Sequence, residues 1–264
     1  MNAKLPVRLP ATFKEKIWGT TDLAPWYATP QNKIGEVWFE ADLPLLVKFV
    51  FTSEKLSVQV HPNDAFARTH ENSLGKTEMW YVLRADPGAQ IAMGFREPIA
   101  RERLTESALS GKIERLLHWV NVKPGDAFFI PAGTVHAIGG GLALCEVQQH
   151  SDITYRLYDY GRPRELHLEK AVQVASLDPH DANPLSLPIN CPYFHTELAR
   201  IEALLEYPPP CEDFHLLVFL NGSGTIADQT FQEGETWLVP KGADLFSIVP
   251  DGPAKFLRTW VPRS

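Results

Sequence analysis

Apolar and polar positions alternate over short stretches of this chain, and turn formers separate the stretches. Segments 36–40, 45–51, 56–60, 79–84, 90–94 and 127–131 are rich in Val, Ile, Phe, Trp and Tyr, with Pro, Gly, Asn and Asp between them. That spacing predicts the strands of an all-β sandwich or barrel. Helical periodicity is rarer. Leu104, Ala108, Leu109, Ile113, Leu116 and Leu117 form one apolar stripe across 102–119, with Gly111 as its break point. Leu168, Ala171, Val172 and Ala175 form another across 167–177. A loop rich in Pro and Asn, 178–192, then leads into a second strand-rich region.

The pattern also repeats. Gly125-Asp-Ala-Phe-Phe-Ile-Pro131-Ala-Gly133-Thr-Val-His136 matches Gly234-Glu-Thr-Trp-Leu-Val-Pro240-Lys-Gly242-Ala-Asp-Leu245, with Gly, Pro and Gly at the same offsets. Each copy reads as a turn glycine, a strand buried by large side chains, and a Pro-x-Gly turn that aims the next residue. Tyr81-Val-Leu-Arg84 before Gly88 and Val218-Phe-Leu-Asn221 before Gly222 extend the match. Two homologous β lobes are therefore expected, over residues 1–180 and 181–264. The first copy ends in His136 and the second in Leu245. One lobe thus carries chemistry and the other has lost it, with Leu245 expected in a core beside Trp237, Leu238, Val239 and Phe246.

At 264 residues the chain is long enough for two small cores. Its 44% hydrophobic and 22% charged residues fit a globular protein and not a disordered or fibrous one. A net charge of -7 without a Lys/Arg cluster removes nucleic acid as a partner, since phosphate-backbone binding needs a basic face. A small anion needs only one or two well-placed cations. Met1 to Phe13 mixes prolines and charges and has no apolar core of a signal peptide. The most apolar run, 43–51, is short and interrupted by Lys48, so no membrane span is expected. Cys145, Cys191 and Cys211 share no C-x-x-C spacing and read as free thiols of a reducing compartment. The expected location is the cytoplasm.

The candidate chemistry lies in the first lobe. In Ser57-Val-Gln59-Val-His61-Pro62, residues two apart share a strand face, so Gln59 and His61 point one way and Val58 and Val60 the other. Glu78 opens a later strand in Lys76-Thr-Glu78-Met-Trp80-Tyr81, and His136 ends the Pro-x-Gly turn. Two imidazoles, a carboxylate and an amide oxygen can surround a divalent metal, with zinc favoured and iron, manganese or cobalt as competitors. Singly, each residue has an ordinary structural explanation. Jointly they sit at the offsets of the two metal motifs of a cupin barrel.

Leu56-Ser-Val-Gln-Val-His-Pro-Asn-Asp64, Gly75-Lys-Thr-Glu-Met-Trp-Tyr81, Pro131-Ala-Gly-Thr-Val-His-Ala137 and Gln148-Gln-His-Ser-Asp-Ile-Thr-Tyr-Arg-Leu-Tyr-Asp-Tyr-Gly-Arg162 carry a closer likeness. Through them the chain resembles the type I mannose-6-phosphate isomerases, specifically over residues 13 to 180 and weakly beyond. The chain has no room for the extra helical domain of the long members, so the resemblance is to their compact bacterial and archaeal form. It implies a mainly β protein of two cupin-type jelly-roll lobes with a few short helices, the second lobe without metal. It also implies one zinc ion per chain on Gln59, His61, Glu78 and His136, Arg156 as the active-site arginine, and interconversion of mannose 6-phosphate and fructose 6-phosphate through a cis-enediol.

Other polar residues gain meaning beside that site. Lys76 lies two before Glu78 and on a strand shares its face. Lys76 and Arg156 supply cations for a phosphorylated hexose and its enediolate, and Asp152, four residues before Arg156, can orient either one. Arg162 is a further phosphate candidate. Lys76, Asp152, Glu146 and His61 all stay open as the base. The competing readings are an isomerase of another sugar phosphate such as glucose 6-phosphate, a cupin dioxygenase, and a non-enzymatic sugar-binding cupin. The expected assembly is a monomer or homodimer.

Overall fold

The computed structural model describes residues 4–263; the first three residues of the N-terminal segment read above lie outside them. Four antiparallel sheets make two lobes of the expected cupin type. In the first lobe, a six-stranded sheet runs in the order Ala11–Thr20, Ile34–Phe39, Leu45–Thr52, Leu142–Gln149, Glu78–Ala85, Ala127–Ile130. It faces a five-stranded sheet ordered Tyr155–Tyr158, Val58–Val60, His136–Ile138, Gln90–Phe95, Leu117–Asn121. The second lobe repeats the plan with Thr236–Pro240, Phe214–Asn221, Ala254–Trp260 and His195–Ile201 against Leu205–Tyr207, Phe246–Pro250, Ser223–Ile226 and Gln229–Gln232. The short strand Val7–Arg8 pairs with Thr236–Pro240, so the chain's first strand extends the second lobe's sheet.

Burial on both faces explains the long apolar strands. Leu45–Thr52 and Leu142–Gln149 are buried at every residue. Their Leu45, Val47, Phe49, Phe51, Ala143, Cys145 and Val147 pack with Leu216, Val218, Leu220 and Leu257 of the second lobe in one continuous core. Trp26 and Tyr27 join that core and satisfy their polar tips across it. The Trp26 indole donates to the Leu220 carbonyl at 2.7 Å, and the Tyr27 hydroxyl to that of Gly234 at 2.6 Å. The opposite face of the same strands points into the first barrel. There Val50, Leu142 and Leu144 meet Ile91, Met93 and Ile138, while Lys48 and Glu146 turn the other end polar. The helices Arg101–Leu109 and Leu168–Val174 cover the outer face of the five-stranded sheet, against Val58, Val60, Ala137 and Leu157.

Two expectations need correction. The stripe across 102–119 is not one helix. It stops at Leu109, passes through Gly111 at φ 71° and the 3-10 turn Lys112–Arg115, and Leu117–Asn121 becomes a strand paired with Gln90–Phe95. Gly111 is required there, since a Cβ would sit 2.9 Å from the Tyr158 hydroxyl. Leu109 is consequently 67% exposed. The second correction concerns Leu245, which is 62% exposed rather than core. The repeat itself is real, since Gly125, Gly133, Gly234 and Gly242 all take positive φ around matching strands. After the second Pro-x-Gly turn, however, the strand starts one residue later. Phe246 and Ile248 face the barrel interior, and Phe246 stacks on Tyr207 at 5.0 Å. Phe246 therefore takes the inward place that His136 holds in the first lobe.

Replacing Phe246 by Ala should cost about 3–5 kcal/mol, whereas Leu245→Ala should stay within about 0.5 kcal/mol. Urea denaturation midpoints of the two variants decide between this register and one with Leu245 inside.

Candidate metal centre and substrate cavity

The period of the strand puts Gln59 inside the first barrel and Val58 and Val60 outside it. Gln59 lies opposite His136 on one side and Arg156 on the other, so three predicted site residues form one row across the inner face. His61 continues from the Gln59 strand. Glu78 reaches across from the facing sheet, where Lys48, Glu146 and Trp80 form a second row on neighbouring strands.

Among the described residues, the group able to hold a metal is His61, Glu78 and His136, whose ligand atoms all lie within 4.8 Å of one another. Both His61 Nε2 and His136 Nε2 are 3.6 Å from a Glu78 oxygen. Adjacent ligands on a tetrahedral ion of this size are about 3.3 Å apart, so small movements would close the site. Each imidazole is oriented by its other nitrogen, His61 Nδ1 on the Ile153 carbonyl at 2.8 Å and His136 Nδ1 on that of Thr134 at 2.9 Å. That leaves both Nε2 lone pairs aimed at the centre. Glu78 Oε1 is buried with no hydrogen-bond partner, a costly state that a cation would relieve. Gln59 Nε2 is 3.3 Å from His136 Nε2, and Ser57 holds Gln59 Oε1 at 3.1 Å. Turning the amide over would present its oxygen instead. The residues fit a divalent metal.

Lys76 sits as expected on the Glu78 face. Its ammonium is 2.5 Å from Glu78 Oε2, 3.2 Å from His61 Nε2 and 3.4 Å from Glu146. Burial opposes its charge, but Glu146 and Glu78 prevail and hold it well above the ordinary lysine range. Glu146 also takes the Trp80 indole proton at 3.0 Å and lies 3.7 Å from Lys48. Asp152 does not orient Arg156 or Lys76. Its side chain is 68% exposed and its nearest cation is Lys48, at 3.8 Å. Arg156 stands on the strand beyond that loop and donates to the Glu165 carbonyl.

These groups line a cavity of about 170 Å³ that also reaches Lys16, Trp18, Glu36 and Arg164. Arg162 does not line it; its guanidinium lies against Asp159 and the Lys55 carbonyl. Five cations and three carboxylates face the cavity, an excess of positive charge suited to an anionic ligand. The sequence reading missed Lys48, the one charge inside a doubly buried strand, although its alternation with Val47 and Phe49 points it into the barrel. Lys16, Glu36 and Arg164 carried no local signal, because remote pairing brings them here.

The second barrel has no such face. Tyr207 and Phe246 occupy the paired positions of Gln59 and His136. His215 has both nitrogens engaged, by the Tyr207 hydroxyl at 2.7 Å and Glu212 at 3.0 Å.

A barrel that keeps its inward histidines and carboxylate, joined to one that has lost them, places the chain among two-lobed cupins with a single candidate metal centre. Comparison with known proteins narrows that class. The chain is 34% identical to mannose-6-phosphate isomerase ManA of Bacillus subtilis, over 92% of its own length and 95% of that protein's. It matches the crystal structure of the mannose 6-phosphate isomerase from Bacillus subtilis with a TM-score of 0.85 at 29% identity, over 97% of this chain and 100% of that one. A mannose 6-phosphate isomerase crystallised with zinc and yttrium shares the fold, with a TM-score of 0.78 at 18% identity over 99% of this chain and 100% of that one. No protein-family model matches the chain. The chain belongs to the mannose-6-phosphate isomerase family, in its short bacterial and archaeal form.

The metal-free centre carries opposing pH effects. Burial, with Glu146 adding to it, pushes the Glu78 carboxyl from 4.5 up to about 7. Its contribution to stability is therefore complete below pH 4.5 and is lost as pH rises to about 7. Burial holds His136 down from 6.5 to about 4, and burial with Lys76 holds His61 well below 6.5. Their contribution is complete above pH 6.5 and is lost as pH falls. Glu78→Gln removes only the first effect. Between pH 4.5 and 7 the chelated variant should gain on the order of 1–3 kcal/mol more stability than chelated wild type. Parallel curves in urea denaturation would contradict the arrangement.

Proposed function

We propose that the chain interconverts mannose 6-phosphate and fructose 6-phosphate through a cis-enediol, with one zinc ion per chain held by Gln59, His61, Glu78 and His136. The observation that carries this reading is the union of the His/Glu/His group and a cation-rich cavity, in a chain about a third identical to a mannose-6-phosphate isomerase over nearly its whole length. Two imidazoles, one carboxylate and an amide oxygen are a donor set suited to zinc. When bound, zinc supplies a Lewis acid that polarises the sugar carbonyl or its neighbouring hydroxyl.

The chain's own residues do the rest. Lys76, held as an ammonium by Glu78 and Glu146, acts on the oxyanion that develops as the proton leaves carbon and not as the base. His61 is committed to the centre through Nε2. That leaves Glu146 and Asp152, the carboxylates facing this end of the cavity, to carry the proton between C2 and C1. Arg156 adds a charge that no pH in the working range removes. Residues 1–180 form the catalytic lobe and 181–264 a lobe without metal that buries the first lobe's outer face. Three free cysteines suit a cytoplasmic setting.

A coupled assay on purified protein tests the reading. Mannose 6-phosphate should be turned over and glucose 6-phosphate should not, chelator should abolish activity, and zinc should restore it. Faster turnover of glucose 6-phosphate, or full activity without metal, would overturn it. His136→Ala should lose both zinc, measured by elemental analysis, and turnover. Arg156→Ala should keep one zinc per chain and lose about 10²–10³-fold in kcat, with little rescue by Arg156→Lys. Near-normal turnover in the alanine variant would remove Arg156 from the chemistry.

A further inference from the structure

Arg156 and Arg164 line the same side of the cavity with one buried carboxylate, Asp159, behind them. Asp159 grips Arg164 side-on, at 2.6 Å from Nε and 2.7 Å from Nη2, and holds Arg162 Nη2 at 3.0 Å. A side-on pair uses one edge of the guanidinium fork. The other edge, Nη1 with the second hydrogen of Nη2, has no partner among the described residues, and Arg164 borders the cavity. Arg156 has a similar surplus. Its Nη1 donates to the Glu165 carbonyl at 2.8 Å, while its Nε is buried and unpartnered. Burial first, and then the charge of Arg164, pull the Arg156 pKa down, as expected of two neighbouring guanidiniums. Like charges held together in a part-buried site repel, and a dianion between them would relieve the repulsion.

The order of these groups gives the ligand a direction. Arg156 lies opposite Gln59 in the strand ladder, next to the metal centre, and Arg164 comes from the loop beyond its strand. A hexose with its reacting carbons at Lys76 has its far end toward Arg164. We propose that Arg164, held by Asp159, reads the C6 phosphate of the substrate, and that Arg162 does not. This rests on the isomerase reading above and adds to it the residue that selects a phosphorylated sugar.

Steady-state kinetics of zinc-loaded Arg164→Gln test it. The glutamine amide can still donate to Asp159, and Arg162 still pairs with that carboxylate, so the fold keeps its buried contact. KM for mannose 6-phosphate should rise about 10–100-fold, the scale of one charged hydrogen-bonded pair, with kcat within a few-fold of wild type. Competitive inhibition by inorganic phosphate should weaken by a similar factor. Arg162→Gln should change KM less than twofold. An unchanged KM in Arg164→Gln, or a fall in kcat alone, overturns the proposal. If that variant loses zinc or melts early, Arg164→Lys is read in its place. KM should rise several-fold there with kcat intact, and no rise overturns the proposal. A wild-type protein that fails to isomerise mannose 6-phosphate sinks the isomerase reading itself, a result distinct from either.

Discussion

Register in the central sheet is the constraint on which the rest depends. Lys48, Glu146 and Trp80 lie side by side on three neighbouring strands, and Glu78 comes two residues before Trp80. On the reverse face the same strands carry the apolar core shared by the lobes. A slip of one residue would turn every side chain over. It would drive Lys48 and Glu146 into that core, where each unpaired ion costs several kcal/mol. In register, Lys48 and Lys76 balance Glu78 and Glu146, and the two imidazoles stay neutral. A divalent ion then brings two positive charges to an otherwise balanced cluster, which makes the cavity floor attractive to a sugar phosphate and its enediolate.

The second lobe shows what the scaffold does without that demand. Glu197 and Arg258 stand opposite each other on the strands that correspond to those of Lys48 and Glu146, and their charges are reversed. His215, Tyr207 and Phe246 fill the barrel with stacked rings and closed hydrogen bonds where the first lobe leaves ligand atoms free. Its other product is area: Leu216, Val218, Leu220 and Leu257 cover strands that would otherwise expose a flat apolar sheet.

Much of this was legible in the residues, and the limits are physical. Alternation placed Gln59 and Lys76 on the inward face correctly because a strand's period is two and local. The same rule fails at a turn of unknown length, which is why Leu245 was set inside when Phe246 holds that place. A helical stripe across 102–119 continued on paper through Gly111, since Leu117 fits a helix face as well as a buried strand; only pairing with Gln90–Phe95 decides it. Asp152 was matched to Arg156 by nearness in sequence, whereas the chain between them enters a strand and separates the two. Arg164 and Glu36 come to the cavity through contacts that no local pattern records.

The central claim is that His61, Glu78 and His136 hold a zinc ion inside the first barrel. Zinc-edge X-ray absorption on the loaded protein tests it most directly. The account predicts one shell of nitrogen and oxygen at about 2.0–2.2 Å, with the outer-shell scattering of two imidazoles. That scattering should be lost in His136→Ala. A sulfur shell near ~2.3 Å, the distance of thiolate ligation, or a spectrum unchanged by His136→Ala would contradict it.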